Sequence, residues 1–319
     1  MLHSLRLKAE LPTRQSALTD RHVIFRRLKA YYLILAAMLV SLVLMQINLR
    51  RASPILSIAD RWLRWFVFTF GAAQFCVQFE LIDRPFWVLA LVFFIVWFLG
   101  ETLYNWLAIT AHSLSPLPLF PRYSVNSTGE EWPVQPRLLH IREWLRAQGF
   151  RQVQALKAEI GPGVFLRVSV YQDAQASVRV QVTFIPQANG AISVCYGVTS
   201  VTADGSRYLT DNLYIPFAGF YPENWFVERA PFRRSLPRLL ARHRARLARA
   251  GATPEPFTTE PLTDLNAVQH ELDQLNTEMG FLHPHAERED LGKFTHEGRY
   301  RVWKEYWMLN YLGRAARYQ

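Results

Sequence analysis

The residues of this 319-residue chain that could do chemistry fall into a few groups, and each must be weighed against a plainer role. His283-Pro284-His285, followed by Glu287, Glu289, Asp290 and His296, has the residue types of a zinc or other divalent-ion site. Such a site needs three or four ligands converging on one point, and a proline-broken charged stretch gives them no common face. A solvated loop is the expectation, with no metal and no cofactor. Cys195 with His243 or His270 has the types of a thiol nucleophile and its base. Strand alternation sets Cys195 opposite the Val194 and Tyr196 side, and no local motif supports activation. His243, Cys195 and Asp211 are therefore the polar residues an enzyme would be obliged to use, and none is assigned as catalytic.

Two surfaces for contact rather than catalysis stand out. Arg238, Arg242, Arg246 and Arg249 recur at helical spacing and could hold phosphates of lipid or nucleic acid. The plainer reading is a solvated face in a chain whose 36 basic residues include only five lysines. Phe217, Phe220, Tyr221, Trp225 and Phe226 crowd a proline-broken segment that could touch a membrane or line a ligand groove. Folding back across a sheet as core is its plainer fate, because exposed apolar patches of that size are rare. Gly161-Pro162-Gly163 looks like a phosphate-cradling turn, but a strand follows it where that chemistry needs a helix N-terminus. Walker, dinucleotide, zinc-finger and nucleophile-elbow patterns are missing.

The elements that position these residues divide sharply by composition. Tyr31–Leu49 is a run without a charge, flanked by Arg26, Arg27 and Lys29 before it and Arg50 and Arg51 after it. Its length suffices for a transmembrane helix, and it lacks the early start and cleavage site of a signal peptide. Residues 85–107 form a second strong run, in which Glu101 with Tyr104 and Trp106 reads as an interfacial end rather than an intramembrane carboxylate. Residues 62–81 are less apolar and carry Gln74 and Gln78, so they either span as half of a hairpin or lie in the interface. The 50–64 stretch reads as a loop. Three spans with the N-terminus inside place eight Lys or Arg inside and six outside, which leaves the side of the C-terminal domain undecided. Residues 1–112 hold 12 basic and 6 acidic side chains and the remainder 24 and 20, so the positive excess lies near the membrane part of a chain of net charge +10.

Beyond a linker at 113–136, rich in Pro, Ser and Gly, residues 137–319 read as a soluble α+β domain. Asn126-Ser127-Thr128 matches a glycosylation acceptor on paper, a pattern common by chance. An amphipathic helix at Arg137–Gly149 precedes alternating stretches near 152–160, 164–170, 178–184, 192–198 and 209–215. Their short joints predict an antiparallel five-stranded meander. Helices at Ser235–Gly251, Asp264–Gly280 and about Glu297–Gly313 follow, the second of them capped by Asp264. Two cysteines exclude a disulfide framework. The expectation is an integral membrane protein with two or three N-terminal transmembrane helices and a non-catalytic binding or scaffold domain. Its partners would be membrane lipids and a protein or second copy. An enzyme acting on a lipid or envelope substrate is the first alternative. A membrane-tethered nucleic-acid binder using the arginine row is the second, and the less favoured.

Overall fold

The computed structural model describes residues 14–51, 53–114, 119–127, 132–133, 135–161, 163–186, 192–284, 293–315 and 317, and omits the side chains of residues 14–30, Arg50 and Arg137. The first part of the basic N-terminal segment, Pro162, the 187–190 turn and Thr128 lie outside the described residues, as do His285, Glu287, Glu289 and Asp290 of the metal-like cluster. The chain forms two compact units: Met1–Gln46 with Asp60–Gly100, and Ile47–Ala59 with Glu101–Gln319.

The first unit is built from parts of three helices, α1 (Arg14–Arg51), α2 (Pro54–Gln78) and α3 (Phe86–Leu114). Among the described residues, two helical stretches are long and apolar enough to cross a membrane, Tyr31–Leu49 and Phe86–Leu114. Small residues bring α2 and α3 together, with Ala73, Cys76, Leu89 and Ala90 forming one buried cluster. The Trp65 ring stacks on Phe94 at 4.5 Å between centroids, and its indole N–H donates to the Phe94 carbonyl at 3.1 Å. Asp60 is buried where α1 and α2 meet. It accepts from Ser41 Oγ at 2.6 Å and pairs with Arg64 at 3.1 Å, so the carboxylate is neutralised where a bare one would be costly. The expected 50–64 loop is instead mostly helix: α2 begins at Pro54. Proline suits a first helical turn, whose N–H groups have no helical partner, and Asn48 Oδ1 accepts from Ser53 N–H at 2.6 Å in the joint.

The second unit is an α+β domain around an eight-stranded, mostly antiparallel sheet. Strands β2 (Arg151–Gly161), β3 (Val164–Gln172), β4 (Arg179–Pro186), β5 (Ile192–Thr202) and β6 (Arg207–Asp211) pair in chain order, each antiparallel to the last. The five alternating stretches are these strands, but the sheet is larger than a five-stranded meander. β1 (Tyr123–Val125), inside the stretch read as linker, adds to β2. β7 (Trp225–Arg229) emerges from the aromatic segment and lies parallel to β6, and β8 (Pro254–Glu255) pairs with the end of β5. β6 also ends at Asp211, short of Leu213 and Ile215.

Both faces of the sheet are covered. On one face, Tyr171, Val180, Val182, Phe184, Tyr196 and Val198 meet α4 (Pro136–Ala147) through Leu138 and Leu145 and α5 (Leu236–Ala250) through Leu236, Leu239 and Leu240. On the other, Leu156, Val168 and Val170 meet Leu265, and Trp225 and Val227 meet Leu272, all against α6 (Pro261–Glu278). α7 (His296–Leu312) starts at Thr295, whose Oγ1 accepts from Gly298 N–H at 3.0 Å. A Cβ added at Gly298 would stand 2.2 Å from the Phe281 carbonyl oxygen, a backbone atom that cannot swing aside. Gly298→Ala is therefore expected to cost the domain about 3 kcal/mol through overpacking, read as a lowered denaturation midpoint. A midpoint equal to the parent's would show that α7 is not seated this tightly.

Candidate functional site

The polar residues singled out from sequence are divided by the sheet itself. His243 projects from α5 onto the first face and is wholly buried. Its Nδ1 lies 3.0 Å from Thr210 Oγ1 and its Nε2 3.1 Å from Ser200 Oγ, so a neutral ring donates at one nitrogen and accepts at the other. Burial pulls its pKa down to about 3, with Arg246 and Arg244 adding to the effect. A ring with that pKa, wedged between two strand hydroxyls, holds the helix in register and is a poor proton acceptor. Cys195 is on β5 between Val194 and Tyr196, and thus points to the opposite face. Burial and the nearby Asp211 carboxyl push its thiol up to about 11, so it is protonated at neutral pH and not a nucleophile. The sheet therefore separates Cys195 from His243, while His270 is exposed on α6.

Asp211 belongs to one of two charge networks on the second face. Arg229 Nη1 donates to Glu305 Oε1 at 3.0 Å, its Nε lies 3.8 Å from Asp211 Oδ1, and its Nη2 donates to the carbonyls of Leu213 and Ile215. Glu305 also accepts from Phe217 N–H at 3.0 Å, which ties α7 to the loop after β6. Burial raises the Asp211 pKa; Arg229 and the Leu213 N–H oppose it, and Glu305 adds to it. In the second network a single carboxylate serves two cations. Asp264 Oδ2 accepts from Arg179 Nη1 at 2.6 Å and Asp264 Oδ1 from Arg207 Nη2 at 2.6 Å. Arg179 also donates to the Thr259 carbonyl at 2.9 Å and lies over the Phe257 ring at 4.0 Å. Asp264 is not the cap of α6, whose N-cap is Glu260; it is a buried anion on the sheet's second face.

The arginine row of α5 is split in the same way. At about 100° per residue, Arg242 and Arg246 turn from Arg238 toward the buried stripe of Leu239, His243 and Leu247. Arg246 donates to Thr210 Oγ1 at 2.6 Å and to the carbonyls of Leu209 and Phe226 at 2.8 and 3.0 Å. Glu228 of β7 pairs with Arg242 at 2.8 Å and with Arg246 at 3.1 Å. Arg238 and Arg249 stay exposed, with Arg249 Nε donating to its own helix at Ala245. Among the aromatic set Trp225 is buried, and Phe217, Phe220, Tyr221 and Phe226 are half-buried. Phe217 lies against Tyr221 in a tilted pair at 4.8 Å between centroids, Phe226 stacks on Tyr208 at 4.8 Å, and the Arg301 guanidinium lies over Phe220 at 4.0 Å. Trp225 is thus enclosed, while the other four rings each keep part of their surface exposed.

One concavity of this unit was not visible in the sequence. A cleft of about 330 Å³ is walled by the α1–α2 joint at Asn48, Ser53 and Ser57, by Ser193 and Cys195 of β5, and by Arg234 before α5. Its walls come from separate segments, so no local motif announces it. Among the described residues, no group of three His, Cys, Asp or Glu side chains gathers as a metal site would require.

Fold and placement together define an α+β chain with a mostly antiparallel sheet and two apolar N-terminal helical stretches. No protein family, curated protein or solved structure matches the chain.

Proposed function

We propose that this chain is an integral membrane protein whose C-terminal α+β domain is a non-catalytic binding or scaffold module held at the bilayer. One observation carries the reading: the apolar helices are uncovered. The large apolar side chains of Tyr31–Leu49 are mostly open, with Leu33 72% exposed, and Trp87 of α3 is 69% exposed. Water leaves such surfaces uncovered at a cost of about 25 cal/mol per Å², and a bilayer removes that cost. The basic flank Arg50–Arg51 suits anionic headgroups. The non-catalytic half draws support from where the titratable groups are used. His243, the Asp211–Arg229–Glu305 set and the Arg179–Asp264–Arg207 set each tie one element to another. Arg238 and Arg249 are the cations of the α5 row that this reading leaves for an anionic partner.

Washing membranes of expressing cells with alkaline carbonate is expected to leave the full chain in the pellet, and detergent to release it. Recovery in the carbonate supernatant would overturn the membrane reading.

A further inference from the structure

The last helix carries an aromatic stripe on the side that the domain core does not use. At about 100° per residue, Tyr300, Trp303 and Trp307 fall on the side of α7 opposite Val302, Glu305 and Leu309, which are buried. Tyr300 is 46% exposed, Trp303 and Trp307 are half-buried, and Lys304 beside them is exposed. The rings lie against one another along the helix: Tyr300 stacks on Trp303 at 5.8 Å between centroids, and Trp307 on Tyr311 at 4.3 Å.

Both ends of α7 stand where the apolar runs of the chain stop. About 20 residues cross the hydrocarbon core of a bilayer, so a span that starts at Phe86 ends near Asn105 and leaves Trp106 at the interface. There the Trp106 ring meets the ring of His296, the first residue of α7, at 5.4 Å between centroids. At the other end, a Cβ added at Gly313, the C-cap of α7, would stand 3.4 Å from the Ile58 side chain. Ile58 lies about one turn into α2, just past the joint that follows the Tyr31–Leu49 run. A helix of 17 residues, about 25 Å long, that is held at these two points runs along the interface instead of away from it. Tyr and Trp suit that depth, since each ring has an apolar body and a polar tip. Lys304 and, past the helix, Arg314 add exposed cations that anionic headgroups attract, against the exposed carboxylate of Glu297 in the first turn.

We propose that α7 is an interfacial helix that lays Tyr300, Trp303 and Trp307 on the headgroup region of the bilayer, a contact the domain makes in addition to its spans. This contact rests on the membrane reading above for the bilayer itself, and it names the face of the domain that meets the lipid.

Lys304→Cys, a change at an exposed side chain, places a reporter beside the stripe. The full chain carrying it is labelled with a nitrobenzoxadiazole maleimide at neutral pH in a mild detergent. Cys195, its thiol pushed up to about 11, and the buried Cys76 react little there, and the unsubstituted chain treated alike gives the background. Gln175→Cys is the reference: Gln175 is exposed in the β3–β4 turn, at the end of β4 away from Ile185, which lines the cleft at the α1–α2 joint. Both labelled chains are placed in vesicles of phosphatidylcholine with a minority of phosphatidylglycerol, carrying a nitroxide either on the headgroup or near the end of an acyl chain. The headgroup nitroxide is expected to lower the Lys304→Cys fluorescence about twofold, more than the deep nitroxide does, and to leave Gln175→Cys unchanged. No quenching at Lys304→Cys, stronger quenching there by the deep nitroxide, or equal quenching at the two positions would overturn the proposal. A Lys304→Cys emission that shifts with protein concentration in detergent and is not quenched in vesicles would assign the face to a second copy and overturn it as well. Carbonate extraction judges the anchor separately. A chain held in the pellet but unquenched at Lys304→Cys keeps its anchor and loses this contact, whereas a chain released by carbonate but still quenched on vesicles keeps the contact and loses the anchor.

Discussion

Lowering the pH from 7 to 5 is expected to cost the domain about 2 kcal/mol through His243 alone, and His243→Gln to remove that part of the loss. The sign follows from the direction of the shift. In the folded chain the ring titrates at about 3, against about 6.5 for an exposed histidine. Above the unfolded value both states are neutral and the stabilisation is complete. As the pH falls through the window between the two values the unfolded chain takes up a proton that the folded chain refuses, and stability drains away. Protonating the ring in place would set a second cation beside Arg246, which donates to the same Thr210 hydroxyl that touches Nδ1. Asp211 works in the opposite sense. Its folded pKa is raised, so its contribution falls as the pH rises from the ordinary carboxylate value through the folded one. Glutamine retains one donor and one acceptor for Ser200 and Thr210 and cannot titrate. The difference between parent and variant therefore isolates the histidine. Amide hydrogen exchange in α5 and β6 of the full chain, measured at both pH values, reads it. Parallel losses in parent and variant would mean that His243 does not carry the acid sensitivity.

His243 also marks where the sequence was legible and where it was not. Its place on the apolar stripe of α5, with Leu236, Leu240 and Leu247, is visible in the helical period, and so is its burial. The strands of the meander are visible for the same reason: Val164, Leu166, Val168 and Val170 alternate at the period of a pleated strand. What alternation cannot show is whether the polar side of a strand meets water or a second layer. Arg179 and Arg207 lie on the polar side of their strands, yet both pair under α6 with an aspartate 85 and 57 residues further along the chain. β7 was missed because five residues, Trp225–Arg229, carry too short a pattern, and their partner is parallel rather than a hairpin neighbour. The same short pattern made Trp225 and Phe226 look like a contact loop. The inward turn of Arg242 and Arg246 was hidden for another reason, because spacing along a helix does not say which flank a long side chain will bend toward. Glu228, which draws Arg242 and Arg246 inward, lies in that unrecognised strand.

Asp264→Ala is expected to cost the domain about 3–5 kcal/mol, because it leaves one buried and one half-buried guanidinium group without their shared counter-charge. Arg179 is buried with a 2.6 Å bond to the lost carboxylate, and neither the Thr259 carbonyl nor the Phe257 ring supplies a full negative charge in its place. Arg207 is less enclosed and can reach water more readily, so the larger share of the cost belongs to Arg179. The size of the loss must not be mistaken for the worth of the network. Burying ions costs several kcal/mol each, and a well-packed apolar replacement is commonly neutral or better. The triple variant Arg179→Met, Arg207→Met, Asp264→Leu is accordingly expected to recover most of what Asp264→Ala loses. Denaturant midpoints of the parent and both variants decide the matter. Recovery would mean that the network's value lies in fixing how α6 meets β4 and β6, since apolar side chains then supply the energy without the specificity. A triple variant as unstable as Asp264→Ala would instead show that the hydrogen bonds themselves hold this face of the sheet.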